Sequence, residues 1–271
     1  MKTLPYQLIA VFTDDKQDAR GNISAVVQLD EPLNEAQMQH IASDLNQPAT
    51  TFLQRDDALN AWKLRWFAPD AEIGLCGHGT AAAAAFLAEA GHSGPLSFTA
   101  GAHRPSGQAD GIHHTFKIAL APIGITGSLP IHEALKEGLG IDILEHYLTG
   151  NKNIVLVKNE AQLAAMKSKW HCLRQLDYFG YAVTAASDQF DFVSRTLLPF
   201  VQQLEDHATG SSHAALVPFW ASRLNKTSFT AKQLSPRCGV IHAAYTEGAV
   251  NLSGAYQILA AGAYTLYGRV H

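Results

Sequence analysis

The stretch GHGTAAAAAFLAEAG, residues 77–91, limits what this chain can fold into more than any other. Its interior is made of good helix formers, and Gly91 is placed to end the helix. A helix on a protein surface carries one apolar stripe and one polar stripe, yet residues 79–88 are small or apolar on every side. The run is also too short to span a bilayer, which takes about 20 apolar residues. Such a helix has to be buried almost all round. An antiparallel sheet curved about one central helix meets that need, and alanine lets the strands approach closely.

The flanking sequence supplies the strands. Residues 6–12 and 23–29 read as strands joined by a polar turn that ends in Gly21-Asn22. Asn34 caps a helix through Leu45, with Met38, Ile41, Ala42 and Leu45 on one face. Residues 50–53 and 61–67 read as strands, and others follow near 96–99 and 113–120. From Asn153 the order repeats: a strand at 154–157, a helix capped at Asn159, strands at 181–185 and 190–197, then a second glycine-opened helix, TGSSHAALVPFWASRL. Three short strands close the chain. Strands outnumber helices and hairpin spacings dominate, which predicts an α+β fold with a mostly antiparallel sheet. RWFAP…GHGTAAAA in one half is echoed by RTLLP…GSSHAAL in the other, and the echo falls at the same place in both element orders. Internal duplication follows: two pseudo-symmetric halves, 1–122 and 123–254, each a sheet rolled around its own helix, with strands at about 255–271 returning to the first half.

Bulk properties exclude several function classes. A formal net charge of −4 gives no electrostatic reason to expect nucleic acid or an anionic membrane as a partner. Cys76, Cys172 and Cys238 are scattered, with neither a disulfide framework nor a thiolate zinc spacing. The apolar run LIAVF near the start meets Asp14 and Asp15 and reads as a first strand, not as a leader. The expectation is a cytoplasmic protein. Thirteen histidines raise the question of a metal, but none stands in a ligand spacing, and His113 and His114 fall side by side on an expected strand, facing opposite ways. No metal is expected.

Two motifs carry chemistry. GHGTA has the spacing of a dinucleotide loop, but it lies behind several strands of an antiparallel arrangement, where that loop does not belong. Read more generally, Gly77-His78-Gly79-Thr80 and Thr209-Gly210-Ser211-Ser212 both open helices, and a helix start offers free N–H groups and partial positive charge. Two such starts facing one cleft would hold a small carboxylate. Ordinary capping by Thr80 and Ser211 accounts for the same residue types. Cys76, just before a helix, reads either as a thiol activated by that position or as a small buried residue.

Together these stretches resemble the phenazine-biosynthesis (PhzF-like) isomerase family, relatives of diaminopimelate epimerase. The resemblance rests on GNISAVV (21–27), MQHIASDLN (38–46), LRWFAPDAEIGLCGHGTAAAA (64–84), DFVSRTLLP (191–199), EDHATGSSHAALVPFWASRL (205–224) and QLSPRCGVIHA (233–243). It implies a homodimer of cofactor-independent isomerases, with a diaminopimelate epimerase-like fold and the site between the halves. The founding reaction moves a proton between two carbons of trans-2,3-dihydro-3-hydroxyanthranilate. Residue by residue, it implies that His78 steers or accepts a proton and that Asp206 binds the amino and hydroxyl region of a substrate. Gly77, Gly79, Thr209, Gly210 and Ser211, at the helix starts, bind the ligand's carboxylate. Glu72 is structural.

The principal base does not carry over. The family's Asn-x-Ser-Glu-Thr-x-Phe stretch reads Asn46-Gln47-Pro48-Ala49-Thr50-Thr51-Phe52 here, so Ala49 stands where the glutamate is expected. Carbon-to-carbon proton transfer wants a positioned group of suitable pKa, worth about 10²–10⁴-fold, and alanine offers none. His207 stands where proline is usual, and Cys238 replaces the first glycine of an Arg-Gly-Gly turn that expects a left-handed backbone. Three readings follow: an isomerase whose base has moved to His78, Asp206, His207 or Cys76; a binding protein for a small carboxylate; or a structural dimer with no ligand.

Overall fold

The computed structural model describes residues 2–246 and 248–266. The elements run β1 (Lys2–Thr13), β2 (Asn22–Leu29), α1 (Glu35–Leu45), β3 (Ala49–Asp56), β4 (Ala61–Phe67), β5 (Glu72–Ile73), α2 (Gly77–Glu89), β6 (Leu96–Thr99), β7 (Ser106–Asp110) and β8 (Thr115–Leu120). They continue as β9 (Ile125–Ser128), α3 (Glu133–Leu139), β10 (Ile143–Thr149), β11 (Asn153–Val157), α4 (Glu160–Ala165), α5 (Trp170–Leu173), β12 (Tyr181–Ala186) and β13 (Phe192–Leu197). β14 (Glu205–Asp206), α6 (Gly210–Leu224), β15 (Ser228–Gln233), β16 (Gly239–Thr246) and β17 (Ala249–Leu266) complete the series. The strands form one mixed sheet with few helices, an α+β architecture.

Most strand pairs are antiparallel, as hairpin spacing predicts. The parallel ones recur at matching places: β2 with β3 and β4 with β6, then β11 with β12 and β13 with β15. A parallel pair needs a crossover, and each of these is bridged by at least one helix. The repeat seen in the sequence is therefore a repeat of crossovers. α2 and α6 occupy the equivalent central positions, and both are sheathed by strands. Every residue from Gly77 to Leu87 is buried, which is why that helix can dispense with a polar face. Its C-terminus closes as expected, with Gly91 at φ 87° and the His92 N–H reaching back to the Leu87 carbonyl at 2.9 Å. α6 contains Pro218, which has no N–H to give the Ala214 carbonyl. That carbonyl accepts from the Ile123 N–H at 2.9 Å instead, in the segment joining β8 to β9.

Side chains of both central helices share one core, in which Ala81–Leu87 and Ala214–Trp220 lie with strand residues such as Ile9, Leu64 and Ile241. Two smaller cores seal the outer faces, one where α1 covers β2 and β3 and one where α3 and α4 cover β11 to β13.

Two expectations need correction, and one is met. The final strand is long, not short: β17 pairs with β16 and β8 over its first part and with β1 from Ala255 onward. The expected return over 255–271 runs on into residues 267–271, outside the described residues. His113 and His114 are in the turn between β7 and β8 rather than on a strand, with His114 at φ 50°. Cys238 does take the left-handed backbone at φ 52°, a conformation that costs a non-glycine residue about 1–2 kcal/mol.

The duplication extends to a pair of bridges. Arg65 on β4 holds Glu72 on β5 through two bonds of 2.7 and 2.6 Å, and Arg195 on β13 holds Glu205 on β14 through two of 2.7 Å. Glu72 thus has the structural part expected of it. The second bridge is far more buried, with side chains 14% and 13% exposed against 32% and 37%. Solvent-exposed pairs contribute about 0–1 kcal/mol, whereas breaking a buried one costs about 3–5 kcal/mol. Glu205→Gln is therefore expected to lower the urea midpoint clearly, and Glu72→Gln only slightly. Equal losses would show that burial does not separate the two bridges.

Candidate functional site

The first turns of α2 and α6 meet at two glycines. A Cβ added to Gly77 would come within 2.7 Å of the Gly210 Cα, and one added to Gly210 within 2.8 Å of the Gly77 Cα. Only a residue without a side chain fits either place. This contact brings both helix starts to a cleft of about 820 Å³, lined by Cys76, Gly77, His78, Asp206, Thr209, Gly210 and Ser211 among others. Gly79 has a different task. It faces Thr51 and Trp66, where a Cβ would lie 2.6 Å from each, and it does not line the cleft.

Capping by Thr80 and Ser211 is not how the helix starts are satisfied. The cap of α2 is Cys76, whose sulfur accepts from the Gly79 N–H at 3.3 Å, while the Thr80 hydroxyl donates back to the Cys76 carbonyl at 2.8 Å. At α6 no side chain caps the helix, because the Thr209 hydroxyl is turned toward Asp206 at 2.7 Å. Ser211 is engaged by Lys152, whose Nζ donates to the Ser211 hydroxyl oxygen at 2.9 Å. Among the described residues the first-turn N–H groups of α6 are thus without a side-chain cap, which favours an anion there.

Asp206, on β14, is pinned from several sides. Asn22 Nδ2 donates to Oδ1 at 2.6 Å and the His207 N–H to the same oxygen at 3.0 Å, with Thr209 on Oδ2. Gln233, fully buried, accepts from the Thr209 N–H at 2.8 Å and donates to the Asp206 carbonyl at 2.7 Å. Asn22 on β2 and Gln233 on β15 thus fix this corner from two distant parts of the chain.

Burial dominates the electrostatics. The Cys76 thiol is pushed up to about 12, chiefly by its removal from water, so the helix start does not produce a thiolate. His78, whose Nδ1 lies 3.4 Å from the Cys76 sulfur, is held below the ordinary histidine range, first by burial, with Asp206 opposing and His207 and Lys152 adding to the fall. It is a neutral imidazole near pH 7. Burial also lowers His207, which does not line the cleft. Lys152 is lowered to about 8, again mainly by burial, with Asp206 and Cys76 opposing.

Ala49 is fully buried at the start of β3, on the same strand face as Thr51, and its carbonyl accepts from the Ser24 hydroxyl at 3.1 Å. Asp44 and Asp56, the nearest acids in sequence, are engaged elsewhere: Asp44 accepts from the Tyr264 hydroxyl, and Asp56 Oδ1 from the Leu59 N–H at 3.2 Å. Neither lines the cleft.

Sequence reasoning missed Lys152, Asn22 and Gln233. Asn22 and Gln233 lie within the matched stretches GNISAVV and QLSPRCGVIHA, which is a signal of sorts, though nothing local says what they bond. Lys152 follows a Gly-Asn turn and reads like any solvated lysine. Among the described residues no group of three His, Cys, Asp or Glu side chains is placed to hold a metal ion, and no helix is long and apolar enough to cross a membrane.

Comparisons with known proteins show the family and the fold. The family of phenazine biosynthesis-like proteins, PhzC-PhzF, matches residues 9–262. An uncharacterized isomerase of Pseudomonas aeruginosa is 34% identical over 246 residues, covering 89% of this chain and 92% of its own. A crystal structure of a PhzF-family phenazine biosynthesis protein from Enterococcus faecalis superposes with a TM-score of 0.88 at 33% identity, covering 98% of this chain and all of that one. A probable proline racemase from Agrobacterium radiobacter shares the fold alone, with a TM-score of 0.71 at 11% identity, covering 97% and 93% of the two chains.

Two outcomes test the site's architecture. Gly210→Ala forces a methyl against backbone that cannot turn aside, and overpacking of this kind costs about 1–3 kcal/mol; urea unfolding should show that loss, and an unchanged midpoint would contradict the close contact. His213, in the first turn of α6, donates from Nδ1 to the Thr209 carbonyl at 2.8 Å and is lowered to about 4 by burial. Between its unfolded value near 6.5 and 4 the unfolded chain binds the extra proton, so stability rises with pH across that window and falls as the pH is lowered through it. His213→Leu should flatten that fall by up to about 3 kcal/mol, on 1.36 kcal/mol per pKa unit. A pH–stability curve of unchanged slope would contradict a neutral His213.

Proposed function

The chain belongs to the PhzC-PhzF family of phenazine biosynthesis-like proteins, which includes named isomerases, and we propose that it is itself a cofactor-independent isomerase that moves a proton on a small cyclic amino or hydroxy acid. The observation that carries this reading is the meeting of two helix starts at Gly77 and Gly210, which brings both helix N-termini to one cleft beside buried titratable groups. Backbone dipoles fixed before the substrate arrives favour a bound carboxylate. They favour still more the enolate-like charge that builds on it when a neighbouring carbon loses its proton. Asp206, held by Asn22 and Thr209, is placed to accept from the ligand's amino or hydroxyl group. His78 is a neutral donor–acceptor at the other helix start. The family glutamate is replaced by Ala49, so the base is another group.

The same reading takes the protein as a cytoplasmic homodimer. Ile258 and Leu259, exposed on β17, are apolar surface that a second copy would cover. Light scattering at two concentrations checks the assembly.

Activity is tested by incubating wild type, His78→Ala and Ala49→Glu in heavy water with the dihydro-hydroxyanthranilate and a panel of small amino acids, following carbon-bound deuterium by NMR. Wild type is expected to exchange at least one compound, and His78→Ala to lose about 10²-fold or more. A silent wild type that gains exchange on Ala49→Glu would mean a carboxylate-binding protein that has kept the pocket without the catalyst.

A further inference from the structure

An isomerase without the glutamate needs another base, and the cleft holds one that the matched stretches do not contain. We propose that Lys152 takes the substrate's carbon-bound proton in this protein, acting as a neutral amine at the start of α6 on a small carboxylic acid with an acidic C–H. This rests on the isomerase reading above and names the base of that same site.

The geometry is specific. Lys152 is 4% exposed, lines the cleft, and closes the turn between β10 and β11. Its Nζ donates to Asn151 Oδ1 at 2.7 Å and to the Ser211 hydroxyl oxygen at 2.9 Å. A neutral amine has two N–H bonds and one lone pair. These two acceptors use both N–H groups, and among the described residues no third protein acceptor is bonded to Nζ, which leaves one tetrahedral direction for the lone pair. The Phe179 ring centroid lies 5.3 Å from the nitrogen. Its lowered pKa of about 8 gives an appreciable neutral fraction at working pH, where a base is most effective.

The internal repeat shows that the lysine is not required by the fold. Arg65 and Arg195 are equivalent, and following the strand pairings back through Thr50 and Tyr181 makes Ser24 the counterpart of Lys152. Ser24 turns its hydroxyl inward, 3.1 Å from the Ala49 carbonyl and 2.8 Å from the Thr51 hydroxyl. Lys152 instead crosses to the other element and meets α6 at the cleft. The remaining charged and titratable groups that face it are less suited. Cys76 is held as a thiol, and Asp206 is tied to three donors. His78 is a neutral imidazole, free to relay the proton afterwards.

The step balances without a co-reactant. The substrate C–H bond breaks as an N–H bond forms on Nζ, and the electron pair left on carbon moves through an adjacent C=C bond of the substrate, which shifts by one position, onto the second carbon and the carboxylate facing the start of α6. The ammonium, or His78 after it, then protonates the second carbon, and the amine lone pair is restored.

The test compares wild type, Lys152→Met and Lys152→Arg in the heavy-water assay, on the compound wild type exchanges fastest, from neutral to alkaline pH. Wild-type kcat should rise as pH passes about 8. Both variants should lose about 100-fold or more in kcat with KM little changed, because arginine keeps the charge but does not deprotonate. Activity kept by arginine but lost by methionine through a raised KM would make Lys152 a charge anchor and overturn the proposal, as would full activity in both. A wild type silent on every compound overturns the isomerase reading along with it. A separate readout needs no turnover: the Lys152 Cε resonance in lysine-labelled wild type should titrate near 8. A midpoint near the ordinary value of about 10.4 would overturn the assignment even if the methionine variant failed to fold.

Discussion

The contact between Gly77 and Gly210 is what the rest of the structure is arranged around. Two helix starts normally repel, since each end carries about half a positive charge. Here they are pressed together at backbone distance because each helix is sheathed by strands of a shared sheet, and because neither glycine has a side chain to hold them apart. The repulsion is relieved by what surrounds the junction: the Cys76 sulfur on one first turn and the carboxylate of Asp206 close to the other. The junction opens onto the cleft, and on the proposed reading an anionic ligand occupies it.

The duplication sets a symmetric frame, and function depends on where the two halves depart from it. Matching bridges, Arg65 with Glu72 and Arg195 with Glu205, hold the strands that lead into α2 and α6. Between these anchors the equivalent positions differ in chemistry. With Gly77 matched to Gly210, Cys76 corresponds to Thr209, His78 to Ser211, and Ser24 to Lys152. A symmetric cleft would offer the same group to both sides of a ligand. This one offers an imidazole from one half and an amine from the other, which suits a reaction that takes a proton from one carbon and returns it to another.

Legibility differed between fold and site for a physical reason. Elements whose determinants are local could be read directly. Asn34 and Asn159 cap their helices as their side chains predict, and Gly91 ends α2 in the left-handed turn that glycine favours. The strand expected near 113–120 started too early because His114 takes a positive φ that its residue type does not announce. The helix starts were ambiguous between ligand binding and capping by Thr80 and Ser211. Capping by those two residues was excluded by bonds that their types do not announce, local at α2 where Thr80 bonds Cys76, and distant at α6 where Lys152 reaches Ser211 and Gln233 reaches Thr209.

By itself the sequence determined that residues 79–88 had to be buried, since a helix with no polar face has no stable place at a surface, and that position 49 carries no acid. It also determined α1, α2, α4 and α6 and several of the strands beside them, because hydrophobic period and caps act over a few residues, while short elements such as β5, β7, β9 and β14 went unread. The tertiary structure decided which polar groups meet. Whether a lysine is solvated or buried against a helix start 59 positions away depends on strand pairing and crossover geometry, and no local pattern encodes that. Lys152 therefore became visible as a candidate base only once the chain was folded.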